Sequence, residues 1–209
     1  MVDVQIDGIT LKGDLILPKG ARSLVLFAHG SGSSRLSPRN RFVAEELNRQ
    51  KLATLLIDLL TEEEEEIDDR TQVYRFDIGL LAKRLVLLID WLSKNPDTKE
   101  LAISLFGAST GAAAALIAAA QRKKKVQTVV SRGGRPDLAK EFLKQVEAPT
   151  LLIVGERDDV VIELNQQAAE SLTCEKKIII VPKATHLFQE PGALEEVARL
   201  AGEWFTAKH

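Results

Sequence analysis

Short apolar runs alternate with longer amphipathic stretches along most of the chain. Residues 24–28 and 151–154 are continuously apolar, which is typical of parallel strands buried on both faces. The intervening stretches carry apolar residues at helical spacing. The pattern predicts strands at 23–28, 53–59, 101–106, 126–130, 150–154 and 177–181, and helices at 41–50, 76–92, 110–121, 138–146, 163–171 and 194–208.

The N-terminal 17 residues follow a different pattern. Two short strands meet at Asp7-Gly8, a pair that readily adopts the positive φ angles of a hairpin turn. Strands that alternate with helices imply a mostly parallel sheet covered on both faces. We therefore predict an α/β fold with a mostly parallel eight-stranded sheet and an N-terminal antiparallel hairpin. No linker or internal repeat divides the chain, so we expect one domain over residues 1–209.

One segment interrupts the alternation. Residues 62–66 are five consecutive glutamates, whose mutual repulsion favours an exposed, mobile loop. The alternative is a flap over a functional site, because the segment leaves the carboxyl end of a predicted strand.

The net charge and the position of the basic residues limit the classes of function that the chain can have. The formal net charge of −2 argues against a nucleic-acid binder that relies on general basicity. The basic run at 122–125 follows an apolar helix and complements the negative end of its dipole, so it predicts a helix end rather than a binding patch.

The N-terminus, the apolar runs and the cysteine content indicate the cellular compartment. The chain begins with neither a basic start nor an apolar signal core, and its longest apolar run, 111–120, is too short to span a bilayer. The single cysteine, Cys174, forms no internal disulfide, which suits a reducing compartment. We expect a cytoplasmic protein without a membrane span; the oligomeric state stays open.

A candidate nucleophile lies between a predicted strand and a predicted helix. Residues 107–111 spell Gly-x-Ser-x-Gly around Ser109, and this motif has meaning in that context. The sharp turn strains the serine backbone, and glycine at positions 107 and 111 removes side chains that would collide. The helix begins at once, so its first amides can stabilise an oxyanion.

A serine hydroxyl needs a base and a group that orients the base. Of the three histidines, His186 follows the last predicted strand and is the candidate base. His29 is expected to be structural, and His209, the final residue, solvated. Asp158 follows a buried strand and a glycine turn and is the candidate acid, with Asp159 as the alternative.

The backbone amide of Thr110 is the first expected oxyanion donor, and its side chain is expected to have no role. The second donor is expected on the loop after the third strand, at Ser31, with Gly32 as the alternative.

Four arginines follow predicted strands at the same edge of the sheet. Guanidinium groups bind carboxylates in a two-pronged geometry, so a substrate with a carboxylate or phosphate is one hypothesis. The alternative is that they pair with the glutamates of 62–66 or with Asp77. The four are Arg35, Arg39, Arg132 and Arg135.

Four motifs in order, at residues 29–34, 107–111, 155–158 and 184–188, resemble the dienelactone hydrolase-like branch of the α/β-hydrolases. The sequence also looks like the stand-alone form of a domain fused to phosphoribosyltransferases in some bacteria. The resemblance covers almost the whole chain and implies the α/β-hydrolase fold without a large lid domain.

The resemblance also implies serine-dependent hydrolysis of a small ester, lactone or thioester. Dienelactone hydrolase itself uses a cysteine nucleophile where this chain has Ser109, so a general carboxylic ester hydrolase is the better expectation. A ligand-binding sensor and an acyltransferase are the alternatives. We expect no cofactor and no metal, because the histidines lack ligand spacing with acidic residues or thiols.

Overall fold

A computed structural model describes residues 1–208; the expectation for His209 lies outside the described residues. Eight strands form one sheet in the order β1-β2-β4-β3-β5-β6-β7-β8. The strands are β1 (Val2–Ile6), β2 (Ile9–Ile16), β3 (Ser23–Ala28), β4 (Ala53–Ile57), β5 (Ala102–Ala108), β6 (Val126–Arg132), β7 (Thr150–Gly155) and β8 (Lys176–Val181).

The predicted strand directions are confirmed. β1 and β2 pair antiparallel through the turn at Asp7 and Gly8, whose φ angles are 47° and 79°. β2 also pairs antiparallel with β4, and the pairs from β4 through β8 are parallel. The carboxyl ends of six parallel strands therefore share one edge of the sheet.

Helices cover both faces of this sheet, and five of those described lie close to their predicted bounds. The described residues form α1 (Pro38–Arg49), α2 (Glu62–Thr71), α3 (Ile78–Leu92), α4 (Thr110–Gln121), α5 (Asp159–Ser171) and α6 (Ala193–Ala207). The helix expected at 138–146 is instead a 3₁₀ segment, Pro136–Gln145, which is broken at Lys140 by a φ of 49°.

Two hydrophobic clusters lie on opposite faces. Val43 and Leu47 of α1 pack with Val197 and Phe205 of α6 on one face, and α3 and α4 contribute to the other. Every residue of α4 from Thr110 to Ala120 is buried. Its alanines and glycine leave room for neighbours on all sides, which brings the start of α4 close to the end of β3.

The expectation of a mobile loop at 62–66 is wrong, because these residues begin α2. The Thr61 hydroxyl accepts from the Glu64 amide at 3.2 Å, and the Glu64 carboxylate accepts from the Thr61 amide at 2.8 Å. This capping box satisfies the first amides of the helix, and acidic residues in the first turn complement its dipole.

Glu64 also connects α2 to α3 through an ion pair with Arg84. Its carboxylate accepts two hydrogen bonds from the guanidinium of Arg84, both 2.6 Å long. This pairing lowers the pKa of Glu64 below its ordinary value, so the charge repulsion that suggested a loop is offset by a partly buried ion pair.

The basic run at 122–125 lies at the C-terminal end of α4, as predicted. Arg122 and Lys125 both contact the carboxylate of Asp90 at 2.6 Å. Among residues 1–208, no helix is both long enough and apolar enough to cross a membrane.

Candidate active site

Ser109 occupies a strained turn between β5 and α4. Its φ of 50° and ψ of −123° lie in a region that non-glycine residues rarely adopt. A Cβ at Gly107 would lie 2.8 Å from the amide nitrogen of Ala112, and one at Gly111 would lie 2.5 Å from the carbonyl oxygen of His29. Glycine is therefore required at both positions, and the turn holds Ser109 at the carboxyl end of β5.

Asp158 and His186 come together at the same edge of the sheet. Asp158 ends the turn after β7 and His186 lies in the loop after β8; Nδ1 of the ring is 2.6 Å from Oδ2 of the carboxylate. With Nδ1 donating to Asp158, Nε2 of the neutral ring becomes the acceptor. Asp159 is instead the first residue of α5, and no hydrogen bond joins it to His186 among the described residues.

The loops that carry this pair are packed tightly. The amide of Arg157 donates to the carbonyl oxygen of Ala184 at 2.9 Å, and a Cβ at Gly155 would lie 2.5 Å from that oxygen. The glycine after β7 thus lets the acid loop approach the histidine loop closely.

Ser109 and His186 line one cavity of about 210 Å³. Within residues 1–208 no hydrogen bond joins the serine hydroxyl to the ring, a contact that often tightens only when substrate binds. The remaining lining residues are Gly30, Ser31, Ser33, Arg39, Ala108, Arg132 and Leu187. The sequence-predicted serine and histidine therefore share a cavity, and the aspartate is bonded to the histidine.

The two expected oxyanion donors differ in their surroundings. Thr110 is the first residue of α4, so its amide has no acceptor within the helix. The amide of Ser31 donates to the hydroxyl oxygen of Thr110 at 2.9 Å and is therefore already engaged. Gly32, the alternative donor, has a φ of +69°. The contact between Ser31 and Thr110 was not foreseen, because it depends on a rotamer that the motif does not specify.

The four candidate arginines fall into two groups. Arg35 pairs with Asp58 through both its guanidinium and its amide, and Arg135 pairs with Asp137 at 2.8 Å. These partners differ from the glutamates of 62–66 and Asp77 that were considered from the sequence. Arg39 and Arg132 line the cavity and form no ion pair within the described part of the chain.

Arg132 is the more unusual of the two cavity arginines. It is 7% exposed, and its Nε and one Nη are buried without a hydrogen-bond partner among residues 1–208. Burial, followed by the positive charge of Arg39, lowers the pKa of Arg132 to about 10. An uncompensated buried cation is costly, so the fold keeps a destabilising group beside Ser109.

His29 is a buried neutral histidine. Asn40 donates its side-chain amide to Nδ1 of the ring at 2.7 Å. Burial, with smaller effects from Arg132 and Arg35, lowers the pKa of His29 to about 3. The imidazole is therefore uncharged at neutral pH, and its bond to α1 fits the structural role expected for it.

Residues 1–208 contain no group of three or more histidine, cysteine or acidic side chains arranged to hold a metal ion. The described site contains a strained serine, a histidine–aspartate pair and two arginines around a small cavity.

Comparison with known proteins identifies the family of this fold. The family described as alpha/beta hydrolase domain matches residues 21–199. The chain belongs to the α/β-hydrolase family. Dienelactone hydrolase from Anabaena variabilis superimposes with a TM-score of 0.98 and 62% identity over 99% of this chain and 96% of that chain. This similarity places the α/β-hydrolase in the dienelactone hydrolase-like branch.

Two other comparisons extend this result. Est1E from Butyrivibrio proteoclasticus has a TM-score of 0.82 at 18% identity over 99% of this chain and 98% of its own, a likeness of fold. Two curated Mycobacterium tuberculosis proteins, each described as a putative phosphoribosyl transferase, are 55% identical over 204 residues. That match covers 98% of this chain and 45% of theirs, so this α/β-hydrolase spans less than half their length.

Proposed function

We propose that this α/β-hydrolase cleaves a small ester, lactone or thioester through an acyl-enzyme on Ser109. The observation that carries the proposal is the 2.6 Å hydrogen bond between His186 and Asp158 at the cavity that Ser109 also lines. The strained backbone of Ser109 supports the same role, because such strain is typical of a nucleophile held toward substrate. Relatedness to a dienelactone hydrolase supports a hydrolase.

The proposed reaction has two halves. The Ser109 oxygen attacks the acyl carbon while Nε2 of His186 takes its proton, and Asp158 stabilises the imidazolium that forms. The tetrahedral intermediate then expels the alcohol or thiol, which receives the proton from His186. Water, activated by the same ring, attacks the acyl-enzyme and releases the carboxylic acid and the free serine.

The proposed substrate is small and carries an anionic group. The cavity of about 210 Å³ suits a compact molecule. Arg39 and Arg132 line it and form no ion pair with any other described residue, and a carboxylate or phosphate would supply the missing counter-charge. Arg35 and Arg135 are less suited to this role, because each is already paired with an aspartate.

A panel of esters, lactones and thioesters of varied chain length and charge tests the proposal, with Ser109→Ala as the control. We expect turnover by the unaltered protein, loss of turnover in the variant, and preference for anionic over matched neutral esters. No turnover combined with tight binding of a panel member would favour a sensor. Transfer of the acyl group to an added alcohol instead of water would favour an acyltransferase.

The proposal includes a cytoplasmic location, for which the evidence is the single, half-buried cysteine. Fractionation of cells that produce the native protein, with a secreted protein as the marker for export, tests this part.

A further inference from the structure

The segment from Arg132 to Arg135 is anchored to the nucleophile. The Ser109 amide donates to the carbonyl oxygen of Arg132 at 3.2 Å, and the Arg135 amide donates to the carbonyl oxygen of Ser109 at 3.0 Å. Within the segment, the Gly133 amide donates to the carbonyl oxygen of Ile153 in β7 at 2.7 Å. Three backbone hydrogen bonds therefore fix this segment, and two of them are made by Ser109 itself.

The same segment lies against the base. Gly133 has a φ of +49°, and a Cβ at this position would lie 3.1 Å from the carbonyl oxygen of His186 and 3.5 Å from Cε1 of its ring. The first distance is shorter than an ordinary contact, so one of the two groups would have to move by a few tenths of an ångström. Cε1 is the ring carbon between Nδ1 and Nε2, the two nitrogens that the proposed reaction uses.

The imidazole needs freedom to move in that reaction. Nδ1 of His186 is bonded to Asp158, but within residues 1–208 no hydrogen bond joins the ring to the Ser109 hydroxyl, so the ring has to approach the serine when substrate binds. The segment beside the ring is held by backbone bonds to β7 and to Ser109. A side chain at position 133 would therefore displace His186 relative to Ser109, because the segment itself is the better anchored of the two.

We propose that Gly133 is a positioning residue for His186. The absence of a side chain at this position lets the imidazole lie between Asp158 and Ser109 at the distance that proton transfer requires. Gly133 takes no part in proton transfer and acts only through His186. The inference rests on the acyl-enzyme reaction proposed above.

Two substitutions add a side chain beside the ring. Gly133→Ala adds one carbon, and Gly133→Asn adds a larger group on a residue type that tolerates positive φ. The contacts of a Cβ at 133 are longer than those at Gly111, so we expect both variants to fold. A 1 Å misplacement of reacting groups can cost about 10²-fold in rate, so a shift of a few tenths of an ångström should lower kcat about tenfold. KM should change little, because no group that binds the substrate is removed.

Gly20→Ala is the matched control for backbone strain. Gly20 lies in the turn between β2 and β3, has a φ of +82°, and a Cβ there would meet no atom within 4 Å. This variant should lose thermal stability, as the Gly133 variants do, and keep the kcat of the unaltered protein. The rate of labelling by a fluorophosphonate is a second readout, because it depends on activation of Ser109 by His186. Labelling should slow in both Gly133 variants by about the same factor as kcat and stay unchanged in the control.

The inference and the function on which it rests fail in different ways. Folded Gly133 variants with the kcat and labelling rate of the unaltered protein would overturn the inference, as would an equal loss of kcat in Gly20→Ala. Absence of both turnover and labelling in the unaltered protein would instead refute the acyl-enzyme proposal itself.

Discussion

Substituting Arg132 with methionine separates what this side chain contributes to substrate binding from what it costs the folded state. Methionine has a similar length and no charge, so it can fill the space left by the aliphatic part of the arginine side chain. The substitution removes a buried cation whose Nε and one Nη have no partner among residues 1–208.

The magnitude follows from the perturbed pKa. Each pKa unit corresponds to about 1.4 kcal/mol, so the lowering of the Arg132 pKa to about 10 represents an unfavourable free energy on the order of 3 kcal/mol. Replacement of buried charges by apolar groups is neutral or stabilising by about 1–4 kcal/mol in other proteins. We expect a gain of about 1–3 kcal/mol, and a rise in Tm of several degrees for a chain of this length.

The same pKa determines how the gain in stability of Arg132→Met depends on pH. Because folding lowers the pKa of a basic group, the charged form is penalised at every pH below about 10. The gain in stability should therefore be the same at pH 6 and pH 8.

Urea and thermal unfolding measure the effect, with Arg122→Met as the matched control. Arg122 is paired with Asp90 at 2.6 Å, so its substitution should lower stability or leave it unchanged. Kinetics on matched esters complete the experiment: Arg132→Met should lose activity on the anionic ester and keep it on the neutral one. A lower unfolding midpoint for Arg132→Met, or equal losses on both esters, would refute the reasoning.

Two further pairs of substitutions, each a test with its control, examine the acid of the site and the packing of its glycine turn. Asp158→Asn should lower kcat by a factor on the order of 10⁴, because the ring of the partner histidine loses its orienting carboxylate, whereas Asp159→Asn should have little effect. Steady-state kinetics compare the two variants. A larger loss of kcat in the Asp159 variant would reverse the assignment of the acid. Gly111→Ala should unfold the protein or sharply reduce its Tm, since the new Cβ would overlap the carbonyl oxygen of Ala28. Gly79→Ala in α3, whose Cβ would meet only ordinary contact at 3.4 Å, should be neutral or slightly stabilising; similar Tm values for the two glycine variants would contradict the packing argument.

Much of the fold was predictable because the pattern of apolar residues along the strands agrees with their burial in the sheet. β3, β5 and β7 are almost wholly apolar and buried on both faces, which only a covered parallel sheet provides. The order of the motifs placed Ser109, Asp158 and His186 at one edge of that sheet, since parallel strands end together.

The helix at 62–71 forms although its first five residues are glutamates, a composition that by itself favours an exposed loop. Thr61 and Glu64 have the three-residue spacing of a capping box, a signal that was present in the sequence. The ion pair between Glu64 and Arg84 joins residues 20 positions apart, and only the folded chain brings them together.

The polar contacts between side chains of the site could not be predicted from the sequence. Arg35 pairs with Asp58, whereas Arg132 forms no ion pair within residues 1–208, and the difference depends on which side chains lie close together after folding. The engagement of the Ser31 amide by Thr110 depends on one rotamer. Such contacts are set by tertiary packing rather than by motif spacing.

Labelling with a fluorophosphonate probe, followed by mass spectrometry of the digested protein, tests the central claim most directly. The account predicts one adduct, on the peptide that carries Ser109, and none in the Ser109→Ala protein or after substitution of His186 by alanine. An unlabelled folded protein, or an adduct that persists when Ser109 is replaced, would contradict it.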